Sequence, residues 1–208
     1  MNAFFKPEDD LAQIRSIMER STKFLSLSAL SAILAGVYAL VGAGLAYNII
    51  YGSEVVLYFE LKDQFITPEI LPLILIAGAV FVLAVSTGLL LSYRKASAAG
   101  QALWNGPAKR LFYSFIIPFS AGAVFVVILY FRGHFSLLAA STLLFYGMAL
   151  LNAGNFTFSD IRKLGMGEIA LGVLAAIFPG KGLLFWALGF GVLHIVYGVI
   201  MYLKYERK

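Results

Sequence analysis

Glu168 and His194 are the residues of this chain best placed to do chemistry away from water. Each lies well inside a long apolar run, in Gly165-Met166-Gly167-Glu168 and in Gly191-Val192-Leu193-His194. An ionisable group held in hydrocarbon is costly to keep, so it marks the first place to look for function. Loss of water penalises both charges, whereas contact between them favours an ion pair. Their depths match. Glu168 stands about 10 Å beyond Ile161, and His194 about 13 Å before Leu203, at the rise of an α-helix. If the two runs are consecutive antiparallel helices, the carboxyl and the imidazole can meet.

Small residues recur around both at helical spacing: Gly165, Gly172 and Ala176 with Glu168, and Ala187, Gly191 and Gly198 with His194. Small side chains let helix backbones approach closely in a membrane. The pattern predicts a tight contact between these two helices with the Glu168–His194 pair inside it. Two readings of the pair stand open, a hydrogen-bonded link between helices and a proton relay or substrate-binding site.

Other polar residues carry less. His134 falls in a loop while His194 falls in a span, so they do not pair as ligands of one haem. No His/Asp/Glu set has metal-ligand spacing, and no cysteine is present, which excludes disulfides and thiolate chemistry. Ser120 and Ser141 lack a base, and Ser136 has His134 nearby without a carboxylate. Asn152 suits a hydrogen bond between helices. Pro118 breaks the ladder of its helix and frees a carbonyl that needs a partner. Ser28, Ala32 and Gly36 form a further small-residue ladder, read as packing. No phosphate loop, zincin motif or nucleotide fingerprint occurs. The expectation is a non-enzymatic protein without metal or cofactor.

The elements that must position these residues follow from composition. Of 208 residues 61% are hydrophobic and 13% charged, against about 25% charged in soluble domains. Six runs are each close to the roughly 20 apolar residues needed to cross hydrocarbon: Phe24–Tyr47, Leu71–Tyr93, Leu111–Phe131, Phe135–Ala153, Ile161–Phe178 and Leu183–Leu203. Assigning the loops alternately to two sides puts Lys6, Arg15, Arg20, Lys23, Arg94, Lys95, Lys109, Arg110, Arg162, Lys163, Lys204, Arg207 and Lys208 on one side. Only Lys62, Arg132 and Lys181 fall on the other. Basic loops stay in the cytoplasm, so both termini are expected there. The net charge of +5 thus reflects orientation and implies no nucleic-acid partner. The predicted fold is an all-α integral membrane bundle of six transmembrane helices forming a single domain.

The first 23 residues read as a cytoplasmic amphipathic segment, with Pro7, Glu8, Asp9 and Asp10 at a helix start and Leu11, Ile14, Ile17 and Met18 on one face. They lack the pattern of a cleaved leader, so the first span is expected to be the anchor. Asn48–Ile70 reads as a long outer, interfacial loop. Trp104-Asn105-Gly106-Pro107 reads as a turn. The short connections Arg132-Gly133-His134 and Pro179-Gly180-Lys181-Gly182 predict three helical hairpins, pairing spans one with two, three with four and five with six. Tyr146-Gly147 and Tyr197-Gly198 recur as a faint internal repeat.

The segment GMGEIALGVLAAIFPGKGLLFWALGFGVLHIVYGVIMY, with Gly167, Gly172, Pro179, Gly191 and Gly198, resembles the hairpin unit of HdeD-type acid-resistance membrane proteins. Those are six-span proteins built from three such units. The first hairpin departs from that pattern through its long loop. The whole chain, through segments such as MERSTKFLSLSALSAILAGVYALVGA, also resembles six-span proteins of Bacteroidota-type bacteria. The resemblance implies a stress-related role in the bacterial inner membrane. Two functions are expected from different classes: a membrane component acting through helix packing, alone, as a homo-oligomer or with a membrane-protein partner, and a small proton-coupled transporter or channel using Glu168 and His194. The lipid bilayer is a partner of either.

Overall fold

In lipid a lone chain segment satisfies its backbone only as a helix. The computed structural model describes residues 23–52 and 70–207. Within them run α1 (Ala29–Gly52), α2 (Ile70–Ala98), α3 (Gly106–Phe131), α4 (Leu138–Ala153, led in by a 3-10 turn, Phe135–Leu137), α5 (Asp160–Ile177) and α6 (Gly182–Glu206). No strand occurs among the described residues. The predicted surface segment Met1–Lys23, Lys23 aside, and most of the first outer loop lie outside the described residues.

Five of these helices, all but α5, are long and apolar enough to cross a membrane. The chain is accordingly an all-α, multi-pass membrane protein. The remaining helix, α5, has 18 residues and carries Asp160, Arg162, Lys163 and Glu168. The outer faces of the bundle fit lipid and not water. On α2, Leu75, Val82 and Leu89 are 63, 59 and 58% exposed, and on α3 Ile117 and Val124 are 66 and 61% exposed.

Several helix ends differ from the sequence reading. The first span begins at Ala29 and not Phe24, because residues 24–28 are not helical. Phe24 N donates to Phe156 O at 2.8 Å, and Thr157 Oγ1 donates to Phe24 O at 2.6 Å. Phe24 and Ser26 are buried and Leu25 is exposed. α3 begins five residues earlier than expected. Asn105 Oδ1 accepts from Ala108 N at 2.9 Å, so the predicted turn is a helix cap with Pro107 in the first turn, where its missing N–H does no harm.

Packing neighbours run in the order α2, α1, α6, α5, α4, α3, and α6 also reaches α4. Phe81 of α2 stacks on Phe119 of α3, with centroids 5.9 Å apart. Spans one and two, and three and four, pack as the expected hairpins. The tight seams, however, join α4 to α5 and α1 to α6, and the reason is glycine opposite glycine. A β-carbon on Gly147 would stand 2.6 Å from Gly165 O, and one on Gly36 would stand 2.6 Å from Gly191 O.

The start of α1 and the end of α6 lie together, since Ala29 N donates to Glu206 Oε1 at 3.0 Å. We call this the proximal end. Alternating helix directions bring Arg94, Lys95, Lys109, Arg110, Arg162, Lys163, Lys204 and Arg207 to it, whereas Arg132 and Lys181 lie at the distal end.

Candidate intramembrane site

The middle of α5 delivers Glu168 and the middle of α6 delivers His194, and the two meet. Glu168 Oε1 lies 3.3 Å from His194 Nδ1. Glu168 is wholly enclosed at 0% exposure and His194 is 6% exposed. Proximity here is not a hydrogen bond. His194 Nδ1 is engaged at 3.1 Å with Gly189 O, and neither oxygen of Glu168 has a hydrogen-bond partner among the described residues. A carbonyl can only accept, so Nδ1 carries a proton. At the other side of the ring Nε2 lies 2.9 Å from the hydroxyl of Tyr146 on α4. That hydroxyl donates to a neutral imidazole and, by rotating, accepts from a protonated one. The Tyr146 hydroxyl can thus donate to or accept from Nε2, while Glu168 has no hydrogen bond among the described residues.

Local chain geometry explains how the pair fits. Residues Ala187–Leu193 of α6 form a π-helical turn, a widening often found at functional sites. Gly189 lies in it, and a β-carbon there would stand 2.5 Å from Glu168 Oε2 and from Leu143 Cδ2. The glycine thus leaves the carboxyl its room and no more. Aromatic rings fix the imidazole: Tyr146 and Phe190 stack on His194 with centroids 5.5 and 6.0 Å away. The hydroxyl of Tyr197, also on α6, is buried without a partner among the described residues.

The small residues do not line the contact between α5 and α6 as the sequence predicts. Gly165 and Gly172 face Gly147, Ala140 and Leu144 of α4, whereas Gly191 and Gly198 face Leu40, Ala29 and Ile33 of α1. Ala187 is partly buried in the π-helical turn and Ala176 is exposed. The physical reason is room. Glu168 and His194 occupy the α5–α6 contact, and a carboxyl facing an imidazole cannot close as tightly as two glycines. The recurrent Tyr-Gly pairs are not equivalent either, since Gly147 packs on α5 and Gly198 on α1.

Tyr146 is the site residue that the sequence reading passed over. Its signal was a hydroxyl about 12 Å into an apolar helix that starts at Leu138, because a buried tyrosine hydroxyl usually finds a partner.

The remaining polar residues serve the frame. Asn152 Nδ2 donates to Ser114 O at 2.9 Å, and Ser120 Oγ donates to Ile117 O at 3.0 Å. His134 belongs to the distal turn, and no group of three or more His, Cys, Asp or Glu is arranged for a metal among the described residues. At the proximal end Lys95 Nζ donates to Glu206 Oε1 at 2.6 Å and to Leu27 O at 2.7 Å. Asp160, just outside the apolar stretch of α5, accepts from Lys204 Nζ at 2.7 Å and Tyr205 OH at 2.8 Å. The bond from Lys204, more than any other contact, holds its carboxyl below the usual carboxylate range.

No family model, curated protein or solved structure matches the chain.

Proposed function

We propose that this chain is a six-span protein of the bacterial inner membrane, with both ends in the cytoplasm, in which Glu168 and His194 form a proton-binding site. α5 serves as the sixth span in this reading, enclosed between α4 and α6, and the proximal end is cytoplasmic because it gathers the basic residues. The protein is non-enzymatic. The resemblance of its last two helices to HdeD-type proteins supports a stress-related role in this reading.

One observation carries the reading: both oxygens of Glu168 are fully buried and receive no hydrogen bond among the described residues. A carboxyl that tied two helices together would have its acceptors satisfied. Glu168 approaches His194 within ion-pair distance but makes no hydrogen bond among the described residues, and a change of protonation accounts for a carboxyl kept in that position. The titratable groups near it are His194 from α6 and, beyond that ring, Tyr146 from α4, with Arg162 and Lys163 at the start of its own helix.

Infrared difference spectroscopy of the purified protein in lipid nanodiscs tests this. A protonated-carboxyl band that titrates with pH in the native protein and is missing from a folded, monodisperse Glu168→Gln variant is the expected result. An unchanged band in that variant removes the proposal.

A second reading, a subunit of a larger membrane assembly or a homo-oligomer, draws on α2, where the buried residues among those described, Ser92 and Ala96, both lie near the proximal end. Copurification in mild detergent of a membrane protein at fixed stoichiometry supports it.

A further inference from the structure

The two tight seams are alike at two of their three glycine positions and differ at the third, where Gly191 meets chiefly the Leu40 side chain and Gly165 meets Gly147 O, Leu151 N and Leu150 Cβ. On α1, Ala29, Ile33, Gly36 and Leu40 face α6; on α4, Ala140, Leu144, Gly147 and Leu151 face α5. The two sets share one spacing. Their partners correspond as well. Gly36 meets Gly191 O and the Cγ1 and N of Ile195, and Gly147 meets Gly165 O and the Cγ1 and N of Ile169. Gly198 meets Ala29 O and Ile33 N at 2.9 Å each, and Gly172 meets Ala140 O and Leu144 N at 3.1 and 3.0 Å. The sequences of the partner helices read alike: Gly165-x-x-Glu168-Ile169-x-x-Gly172-Val173 and Gly191-x-x-His194-Ile195-x-x-Gly198-Val199. α2 completes one set by packing on α1, and α3 completes the other by packing on α4.

The molecule therefore has two halves, α1–α2–α6 and α4–α3–α5. Equivalent helices run in opposite directions, because α4 returns toward the proximal end from which α1 departs, and α5 and α6 are antiparallel neighbours. Such a relation is a two-fold axis lying in the plane of the membrane. Glu168 and His194 are equivalent positions under it, and they touch at the point where the halves meet. Inverted halves with an ionisable site between them near mid-membrane are the architecture by which carriers expose one site to two sides in turn.

The halves are not identical in the state described. α6 carries a π-helical turn ahead of His194, whereas α5 is α-helical throughout. The proximal end is tied together by Lys95–Glu206, Ala29–Glu206, Lys204–Asp160 and the non-helical strap at Phe24. At the distal end, among the described residues, Tyr51 OH donates to Gly180 O at 3.1 Å.

We infer that the two inverted halves exchange conformations, opening the Glu168–His194 pair alternately to the distal and the proximal side, so that the protein passes protons by alternating access. This rests on the proton-binding reading of that pair. The proton is the cargo that the geometry accepts, since the carboxyl has no space beside Gly189 for a larger group. In each cycle a proton enters from one side to neutralise Glu168 and leaves to the other, with no bond made or broken beyond O–H.

Because the chain has no native cysteine, spin labels can be placed freely on exposed sites. One pair, Arg94→Cys with Lys109→Cys, reports the proximal ends of α2 and α3. Another, Leu71→Cys with Phe131→Cys, reports their distal ends. Pulsed electron–electron distances are measured in nanodiscs across pH in the native background and with Glu168→Gln. Two populations are expected at each pair, with the proximal distance lengthening as the distal one shortens, and Glu168→Gln fixing one population. A single unmoving distance at both pairs, or both lengthening together, overturns the exchange. The infrared carboxyl band separates the two claims. If it titrates while the distances stay fixed, the proton site stands and the exchange fails. If the distances exchange while the band is absent and Glu168→Gln changes nothing, the proton-driven mechanism fails as well.

Discussion

Asn152 Nδ2 donates to Ser114 O at 2.9 Å, and that carbonyl is the one Pro118 leaves free. Proline has no N–H, so the residue four before it loses its helical partner. A side chain from α4 restores the bond and fastens α3 to the bundle. The sequence carries both needs separately, and the structure meets them with one contact.

Replacing Asn152 with Ala should therefore cost about 1 kcal/mol, the usual scale for a polar contact between membrane helices. Reversible unfolding in mixed micelles checks this. Pairing it with Pro118→Ala, which returns the N–H, should reduce the penalty, so the double variant should lose less than the sum of the single effects.

Glycines divide into two groups by what a β-carbon would meet. At Gly165 it would stand 2.7 Å from Gly147 O, a backbone atom, and 3.0 Å from Leu151 N. Gly165→Ala should destabilise by about 1–3 kcal/mol, as overpacking does. At Gly44 and Gly78 nothing lies within 4 Å, so alanine there should be neutral or add about 0.5–1 kcal/mol of helix stability. Thermal melts of the three variants in one detergent distinguish the cases.

Gly189→Ala tests the seat of the carboxyl. The added methyl would collide with Glu168 Oε2 and displace it against His194. The midpoint of the infrared carboxyl titration should move while the helix content by circular dichroism stays the same. An unmoved midpoint would mean that the π-helical turn has no influence on the pair.

Asp160 gives a pH dependence whose sign is fixed. Its folded carboxyl is held below the ordinary value of 3.8 by Lys204, with Tyr205 and Lys163 assisting. The stability it contributes is fully present above that ordinary value and is lost as pH falls through the lower folded one. Melting temperatures should show a constant deficit for Asp160→Asn at neutral pH that closes in this acidic window.

How much of this was legible in the sequence varies with the kind of contact. Helices, their order and the gathering of basic residues at one end follow from apolar length and loop charge, which are local properties. The meeting of Glu168 with His194 follows from matched depth on consecutive helices. The seams do not follow, because Gly36 and Gly191 are far apart in the chain and either stripe of small residues could have served any neighbour. Residues 24–28 also read as part of the first span by hydropathy. Their non-helical course depends on Phe156 and Thr157, which a local window cannot see.

The seam between α1 and α6 has a consequence for biogenesis. The face of Gly36 enters the membrane early in synthesis, yet the surface made for it, from Gly191 to Gly198, leaves the ribosome after every other described helix. Until then α1 must lodge beside α2 alone, in lipid or against an insertion factor. The bundle can close only once translation has passed His194, so a chain stalled before that point should hold an open ring with Glu168 uncovered.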